Sequence, residues 1–368
     1  MVSNTADLDA LLAHSRELIV SLQDEGGAYP ASPTFSAYKG YCWFRDGAFI
    51  ADGVSSSGEV ASATAFFEWC AMVLDKHRDR IRAVVAAAAA GTPLSGDQML
   101  PARYTFTGEL GEDYWWDFQL DGYGTWLWAL VEHCERHGID VSPWRDAAEL
   151  TVDYLVSSWD RPCFDWWEEN SAHVHVSTLG CIAAGLSAAV DAGLVDGDRA
   201  ARASETRTRI DRVLADEGTV DGHLTKWLGN PALDGSLSAL VAPLRVLDAD
   251  SPVAIGTLTA VERELAVDGG VHRFRADTFY GGGRWPLLTC FLGLAQLAVG
   301  DREAARRALD WAAATAGNDL MLPEQVEEHL LDESFRQEWL DRWGTVATPL
   351  LWSHAMLLRL AVEIEETR

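Results

Sequence analysis

The chain has 368 residues, and its 29 lysines and arginines stand against 56 aspartates and glutamates, a formal net charge of −27. This acidity excludes nucleic acid and anionic membrane surfaces as partners, since both repel a strongly negative protein. No apolar run approaches the roughly 20 residues that span a bilayer. The N-terminus also lacks the basic and apolar regions of a secretory signal, so the sequence predicts a cytoplasmic protein.

Cysteine and tryptophan are used in distinctive ways. The 6 cysteines are spread along the chain without a CxxC pair, which favours buried free thiols over a zinc site or a disulfide framework. Many of the 16 tryptophans lie in short polar stretches such as residues 114–117 and 165–168. Flat aromatic faces beside carboxylates suit a sugar, whose C–H faces stack on rings while its hydroxyls need acceptors.

Apolar residues recur at three- and four-residue spacing along most of the chain, and strand-like alternation is nearly absent, which predicts an all-α fold. Asp7 and Ser142 are candidate N-caps, and glycines follow several helix ends. In chain order the predicted helices lie near residues 7–23, 45–57, 59–90, 121–137, 142–159, 173–192, 197–215, 235–249, 253–266, 285–299, 302–316 and 346–365. No Pro- or Ser-rich linker divides them, so we predict a single domain over residues 1–368, with helical hairpins in a ring and the long loops at one mouth.

The loop near residue 168 is the first candidate for chemistry. Glu168 and Glu169 are adjacent and lie between aromatic residues. A glutamic acid held against tryptophan is desolvated, which raises its pKa and lets it act as a general acid near neutral pH. The alternative is an ordinary surface acid pair in a chain rich in acids.

Three further positions carry charge beside aromatic or rigid residues. Glu324 follows a proline, although the acids after it also fit a solvated run. Arg45 and Asp46 stand side by side at a helix start and could hold neighbouring hydroxyls of one sugar ring, or could form a helix cap with an ion pair. Arg273 could equally be a buried structural ion-pair partner or a substrate contact.

Taken together, these pieces resemble the glucoamylase family, glycoside hydrolase family 15, over residues 25–360. The matching segments are residues 41–46, Trp115 with 119–122, 165–169, 233–237, Arg273 with Asp277, 322–325 and 349–354. The resemblance implies an (α/α)6 barrel with six inner and six outer helices and a pocket at one end. It also implies that no cofactor is needed.

The resemblance further implies an inverting glycosidase with two catalytic carboxyl groups. Glu168 matches the family's general acid, which protonates the glycosidic oxygen. Glu324 matches the general base, which takes a proton from the water that attacks the opposite face and so releases β-glucose. The carboxyl groups of inverting pairs lie about 6.5 to 9.5 Å apart to leave room for that water.

The same resemblance supplies the substrate-binding residues. Arg45 and Asp46 match the pair that holds the non-reducing glucose, Trp115 the tryptophan that packs over the acid, and Glu169 and Arg273 contacts near the scissile bond. The predicted binding set is Tyr38, Trp43, Arg45, Asp46, Trp115, Trp167, Glu169 and Arg273.

The chain departs from the family pattern at two positions. The position where the family usually has a tyrosine is Lys39, with Tyr38 and Tyr41 on either side, and we favour Tyr38 as the pocket tyrosine. Phe279 stands where many relatives carry a tyrosine whose hydroxyl would steady the first one. Because Phe279 lacks this hydroxyl, we expect an altered pH profile, which a Phe279→Tyr variant would test.

Substrate and class are predicted as follows. We expect small α-glucosides, with α-1,6 linkages as in isomaltose first, α-1,4 malto-oligosaccharides second and trehalose third. A different class is a non-catalytic sugar-binding barrel, and a hydrolase of uronic acids fits poorly because its pocket should be basic.

His173 and His175 lack metal-spaced partners, so no metal site is predicted. Oligomeric state stays open.

Overall fold

The computed structural model describes residues 5–115 and 118–367, and most of these residues lie in α-helices. In chain order the helices are α1 Thr5–Leu22, α2 Phe44–Ser56, α3 Val60–Lys76, α4 Arg78–Ala89, α5 Asp121–His137, α6 Arg145–Ser158, α7 Val176–Asp191, α8 Gly197–Asp216, α9 Pro252–Leu265, α10 Pro286–Ala298, α11 Arg302–Ala314, α12 Arg336–Trp343 and α13 Leu351–Glu366. Strands are short: β1 Tyr41–Trp43, β2 Arg103–Thr105, β3 Thr219–Val220, β4 His223–Leu224, β5 Ala266–Val267, β6 Gly270–His272 and β7 Arg284–Trp285. They form three small antiparallel sheets, in the orders β1-β2, β3-β4 and β5-β6-β7.

Six elements form a closed inner ring. Helices α2, α5 and α7, the 3-10 helix Gly235–Leu240, α10 and α13 each contact the next, and α13 returns to α2. Helices α1, α3, α6, α8, α9 and α11 pack outside this ring. Inner helices are buried on most sides, as in α10, where residues 286–297 are all buried, whereas α11 buries only one face. The architecture is the (α/α)6 barrel that the sequence predicted.

Two predicted helices differ in the structure. The segment predicted at 59–90 is two helices, because the chain turns at His77 between α3 and α4. The segment predicted at 235–249 is only the 3-10 helix Gly235–Leu240, which is followed by a cis peptide bond between Ala242 and Pro243. The ring position is therefore filled by a short element whose side chains are all buried.

Smaller corrections concern helix ends and one added helix. Helix α12 was not predicted, and it lies between the helices predicted near residues 302–316 and 346–365. Helix α7 begins at Val176 instead of residue 173. Ser142 does not cap α6, because it lies in the 3-10 turn before it and its hydroxyl donates to Asp140. Asp7 lies inside the first turn of α1.

The buried cysteines were predicted correctly, since all 6 are free and buried. Among residues 5–115 and 118–367, no helix combines the length and apolar character needed to cross a membrane. The aromatic stretch near residue 115 can be followed only in part, because Trp116 and Asp117 lie outside the described residues.

Helices α5 and α7 meet through two glycines, and this contact leaves no room for a side chain. A Cβ on Gly124 would lie 2.2 Å from the carbonyl oxygen of Cys181, and one on Gly185 would lie 2.3 Å from the carbonyl oxygen of Gly124. Because the obstructing atoms are backbone, the helices must move apart to accept either methyl group.

We therefore expect Gly124→Ala to lower the free energy of unfolding by about 3 kcal/mol, the upper part of the range for overpacked cores. Urea denaturation followed by circular dichroism measures this. The matched control is Gly96→Ala, where the nearest atom would lie 3.5 Å from the new Cβ. Equal stability of Gly124→Ala and the parent protein would show that the two helices are not in tight contact.

Candidate active site

The pocket lies at the end of the barrel where the inner helices begin. Arg45 and Asp46 are in the first turn of α2, and Trp352 is in the first turn of α13. The loop that carries Glu168 leads towards α7, and Trp285 immediately precedes α10. One cavity brings together every predicted site residue, namely Tyr38, Trp43, Arg45, Asp46, Trp115, Trp167, Glu168, Glu169, Arg273 and Glu324.

Glu168 is held by donors on one carboxylate oxygen. Its Oε1 accepts hydrogen bonds from Trp43 Nε1 at 3.0 Å and from Gln119 Nε2 at 3.2 Å. Arg45 Nη2 lies 3.5 Å from the same oxygen. Burial raises the pKa of Glu168, while Arg45 and the two hydrogen bonds partly oppose that rise.

Glu324 lies in a less polar environment. Its Oε1 accepts a 2.9 Å hydrogen bond from the Tyr38 hydroxyl, and within the described part of the chain its buried Oε2 has no hydrogen-bond partner. Burial, together with the nearby charges of Asp46 and Glu168, raises the pKa of Glu324 to about 8. Tyr38 also packs edge-on against Trp43, with ring centroids 5.4 Å apart, so the rings that hold the two carboxyls touch.

The two carboxyl groups thus differ in how well their charged forms are stabilised. Glu168 has two hydrogen-bond donors and a guanidinium, whereas Glu324 has one phenol. Glu324 therefore holds its proton more tightly than Glu168 does, since burial raises the pKa of both and more donors oppose that rise at Glu168. A reaction that needs Glu168 protonated and Glu324 ionised then proceeds through the less populated of the two singly protonated forms.

This arrangement predicts the effect of Tyr38→Phe. Losing the phenol hydrogen bond raises the pKa of Glu324 further, because that bond lowers it. A hydrogen bond to a charged group contributes about 1.5 to 3 kcal/mol, so we expect the maximum of kcat/KM to fall about tenfold or more and the alkaline limb to move about one pH unit upwards. The pH profile of kcat/KM measures both effects, and an unchanged profile would contradict them.

Arg45 and Asp46 form a buried charged floor. Arg45 Nη1 donates to Gln119 Oε1 at 2.6 Å and lies 3.3 Å from Asp121, while its Nη2 lies 3.2 Å from Asp46 Oδ2. Burial raises the pKa values of Asp46 and Asp121 to about 6, although Arg45 opposes the shift in both. The floor thus offers a cation and carboxylate oxygens at one end of the pocket, as hydroxyl recognition requires.

Arg273 forms the buried ion pair that was one of its two predicted roles, and it also lines the cavity, so a substrate contact stays a prediction. It forms a buried ion pair with Asp277, and its Nη2 also donates to Glu169 Oε1 at 3.2 Å. The Glu169 side chain is 40% exposed, which places this pair at the rim of the cavity rather than at its floor. Burial raises the pKa of Glu169, and Arg273 opposes that rise.

The two candidate tyrosines have separate surroundings. Tyr41 donates a 2.5 Å hydrogen bond to Asp113 instead of contacting Glu324, and its ring covers the Arg103 guanidinium at 3.7 Å. The Cζ atom of the same Arg103 guanidinium also lies 4.2 Å from the centroid of the Trp115 ring. Tyr41 thus packs against Arg103 outside the pocket lining, and Tyr38 is the tyrosine that lines the pocket.

The family model for glycosyl hydrolases family 15 matches residues 5–362. The chain belongs to this family. It is a glycoside hydrolase, and its barrel and pocket agree with the resemblance seen in the sequence.

Similar proteins support the family 15 membership. The isomaltose glucohydrolase of Kribbella flavida is 52% identical over 98% of this chain and 94% of its own length. The solved structure of a wild-type glycosidase is 52% identical and superposes with a TM-score of 0.96 over 98% of this chain and 97% of that one. A variant of such a glycosidase, 51% identical with the same TM-score and the same coverage of both chains, was solved in complex with glucose.

The family 15 pocket contains aromatic residues that were not predicted as site residues. Trp339 and Trp343 come from α12, and the Trp343 ring stacks on Trp115 with centroids 6.3 Å apart. Their four-residue spacing on one helix face was the available signal. The remaining aromatic lining residues are Trp166, Phe279, Trp285 and Trp352.

The histidines that were considered as metal ligands have other contacts in this family 15 chain. A ring nitrogen of His175 lies 3.0 Å from the Asn170 carbonyl oxygen, and His173 stacks on Trp227 with centroids 4.3 Å apart. Across residues 5–115 and 118–367, no group of three or more potential ligands is placed to hold a metal ion.

Proposed function

We propose that this protein is an inverting, exo-acting α-glucosidase that releases β-glucose from the non-reducing end of isomaltose and short isomalto-oligosaccharides. The observation that carries the proposal is that Glu168 and Glu324 line one pocket together with the buried Arg45 and Asp46. The proposed exo action rests on binding of the terminal glucose by Arg45 and Asp46.

The proposed chemistry uses one proton at each carboxyl group. Glu168 gives its proton to the glycosidic oxygen as the bond to C1 breaks, and Glu324 takes a proton from water as the water oxygen bonds to C1 from the opposite face. Trp43 and Gln119 then stabilise the Glu168 carboxylate that is left. The next turnover begins after one proton passes from the pair to solvent and one returns.

The proposed binding follows from the chemistry of the lining. Arg45 and Asp46 bind hydroxyls of the terminal glucose, and the indole of Trp167 offers a stacking face. Glu169 and Arg273 border the leaving-group side, where the linkage is read. The relative named as an isomaltose glucohydrolase, at 52% identity, supports the α-1,6 preference. Malto-oligosaccharides and trehalose are the second and third candidates.

The test is glucose release from isomaltose, maltose, trehalose and isomaltotriose at equal concentrations, with the product anomer followed by proton NMR. Rapid appearance of β-glucose, with the highest kcat/KM on isomaltose, is the expected result. Initial release of α-glucose would refute the inverting mechanism. Sugar binding without turnover would favour the non-catalytic barrel. A higher kcat/KM on maltose would change the assigned preference to α-1,4 linkages, and a higher value on trehalose would change it to α,α-1,1 linkages.

Single-domain organisation over residues 1–368 and a cytoplasmic location remain predictions from the sequence. Limited proteolysis tests the first, since one domain should resist cleavage until it unfolds as a unit. Fractionation of the source cells tests the second.

A further inference from the structure

Lys226 is a buried cation that the proposed chemistry does not use. Its side chain is 3% exposed, and its Nζ lies 2.5 Å from Asp234 Oδ2 and 3.0 Å from Asp165 Oδ2. The Phe274 ring covers it at 3.8 Å. Burial of an ammonium is costly unless carboxylates compensate it, so a cation at this position calls for an explanation.

The first partner, Asp165, holds the loop that carries the proposed general acid. Its Oδ1 accepts hydrogen bonds from the backbone N–H groups of Trp167 at 3.0 Å and Glu169 at 2.9 Å, which flank Glu168. Its Oδ2 accepts from the Asn170 side chain at 3.2 Å. One buried carboxylate therefore fixes the backbone N–H groups of both residues that flank Glu168.

The same loop contains strained backbone. Glu168 has φ of 58° and Asn170 has φ of 54°, in the left-handed region that side chains other than glycine rarely adopt. Such conformations cost about 1 to 3 kcal/mol each and persist only where surrounding contacts impose them. Here the hydrogen bonds to Asp165 supply those contacts, so the direction of the Glu168 side chain depends on where Asp165 is held.

The second partner, Asp234, joins the loop to the inner ring. Its Oδ2 accepts a 2.9 Å hydrogen bond from Trp167 Nε1, and its Oδ1 accepts from the backbone N–H and hydroxyl of Ser236 in the 3-10 helix. The N–H of Gly235 donates at 2.7 Å to the carbonyl oxygen of Arg273. Lys226 thus connects the acid loop, the 3-10 helix and the segment that carries Arg273.

We propose that Lys226 is the positioning residue for the Glu168 loop, because its ammonium bridges Asp165 and Asp234 and so holds the strained backbone that directs Glu168 into the pocket. This inference rests on the proposed role of Glu168 as general acid. Lys226 itself touches neither the cavity lining nor the reacting atoms, and it acts through the two aspartates.

An ammonium suits this position better than a neutral group. Without it, two carboxylates would face each other across the Lys226 site with no cation between them, and like charges in a buried site repel strongly. The neighbouring His175 is neutral beside this cation, because burial and the Lys226 charge lower the pKa of its imidazole. Separation of the aspartates would pull the loop away from the 3-10 helix.

The test compares two substrates that differ in their need for an acid. Isomaltose has a sugar leaving group that must be protonated, whereas α-glucosyl fluoride has a leaving group that needs little protonation. We expect Lys226→Met to lower kcat/KM on isomaltose about 10- to 100-fold relative to α-glucosyl fluoride, up to the lower limit of the roughly 10²- to 10⁴-fold contribution of a general acid, because the acid is displaced and not removed. The ratio of the two values does not depend on the fraction of folded enzyme, so instability alone leaves it unchanged.

A second variant tests the proposal in case Lys226→Met does not fold. Lys226→Met with Asp234→Asn leaves one buried carboxylate in place of two, and so restores the net charge of the cluster. It is expected to be more stable than Lys226→Met and to show the same fall in the ratio, since Asp165 still lacks its cation. A parent-like ratio in either folded variant would overturn the proposal.

Two further variants separate this proposal from the proposed function. Arg359→Met disturbs another buried ion pair, with Asp52 at 2.9 Å, about 9 Å along α2 from Asp46, and should leave the ratio unchanged. Glu168→Gln should lower the ratio itself. A fall for Glu168→Gln but not for the Lys226 variants would refute only the positioning role. A parent-like ratio for Glu168→Gln would refute the acid role and the inference with it.

Discussion

Glu168→Gln is expected to lower kcat on isomaltose by about 10²- to 10⁴-fold, the usual contribution of a general acid. Glutamine keeps the size of the side chain and can still accept from Trp43 and Gln119, so the pocket should keep its shape. It cannot give a proton to the glycosidic oxygen. Steady-state kinetics on isomaltose, with KM changed little compared with kcat, measure the effect.

The same variant should also lose one limb of its pH profile. In the proposed mechanism the parent enzyme needs one protonated and one ionised carboxyl group, and the variant retains only Glu324 as a titrating member of the pair. Glu327→Gln is a matched control, because Glu327 pairs with Arg336 on the surface. A loss below tenfold on isomaltose would remove Glu168 from the acid role.

Glu324→Ala is expected to lower kcat by about 10²- to 10⁴-fold on both isomaltose and α-glucosyl fluoride, because water activation is needed whatever the leaving group. The shorter side chain leaves space on the face opposite the leaving group. Azide needs no base, so it can attack C1 from that face while the glycosidic bond breaks, giving β-glucosyl azide. The azide concentration dependence of the rate and NMR of the product measure this.

The anomer of the azide product decides between mechanisms. A β-product shows that the nucleophile entered from the side of Glu324 with inversion, as proposed. An α-product would show that residue 324 acts on the leaving-group side, and the roles of the two carboxyl groups would be exchanged. This comparison is informative because Glu324 holds its proton more tightly than Glu168 does, with its pKa raised to about 8.

The loss of activity on each of the two substrates distinguishes the role of Glu168 from that of Glu324. Glu168→Gln should spare α-glucosyl fluoride and Glu324→Ala should not. Tyr38→Phe should act on the pH profile because the phenol donates to Glu324. Together these variants distinguish loss of the acid, loss of the base and a change in the pKa of the base.

The sequence by itself predicted the fold class from its periodicity and the pocket residues from its resemblance to family 15. Apolar residues at three- and four-residue spacing identified the helices, because a helix packed on others must bury a continuous stripe. The motif segments around Arg45, Glu168 and Glu324 placed these residues in loops and first turns, and such positions gather at one end of a ring of hairpins. Local residue pattern carries this information directly.

Sequence patterns failed where the chain depends on distant contacts. The segment after Gly235 contains enough apolar residues for a helix, yet it forms only the 3-10 helix Gly235–Leu240, and the carboxylate of Asp234 that caps it is held by the distant Lys226 and Trp167. Helix α12 is weakly apolar and lies among acids, and its place follows from Trp339 and Trp343 packing over the pocket.

Only the tertiary structure decided how the charges are paired. The choice of Tyr38 over Tyr41, and the difference between Glu168 and Glu324 in stabilising donors, arise from side chains far apart in sequence. Lys226 is 58 residues from Glu168 in the sequence, and nothing in its local pattern connects the two. Burial and hydrogen bonding set pKa values and backbone strain, and both depend on which distant groups the fold brings within a few ångströms.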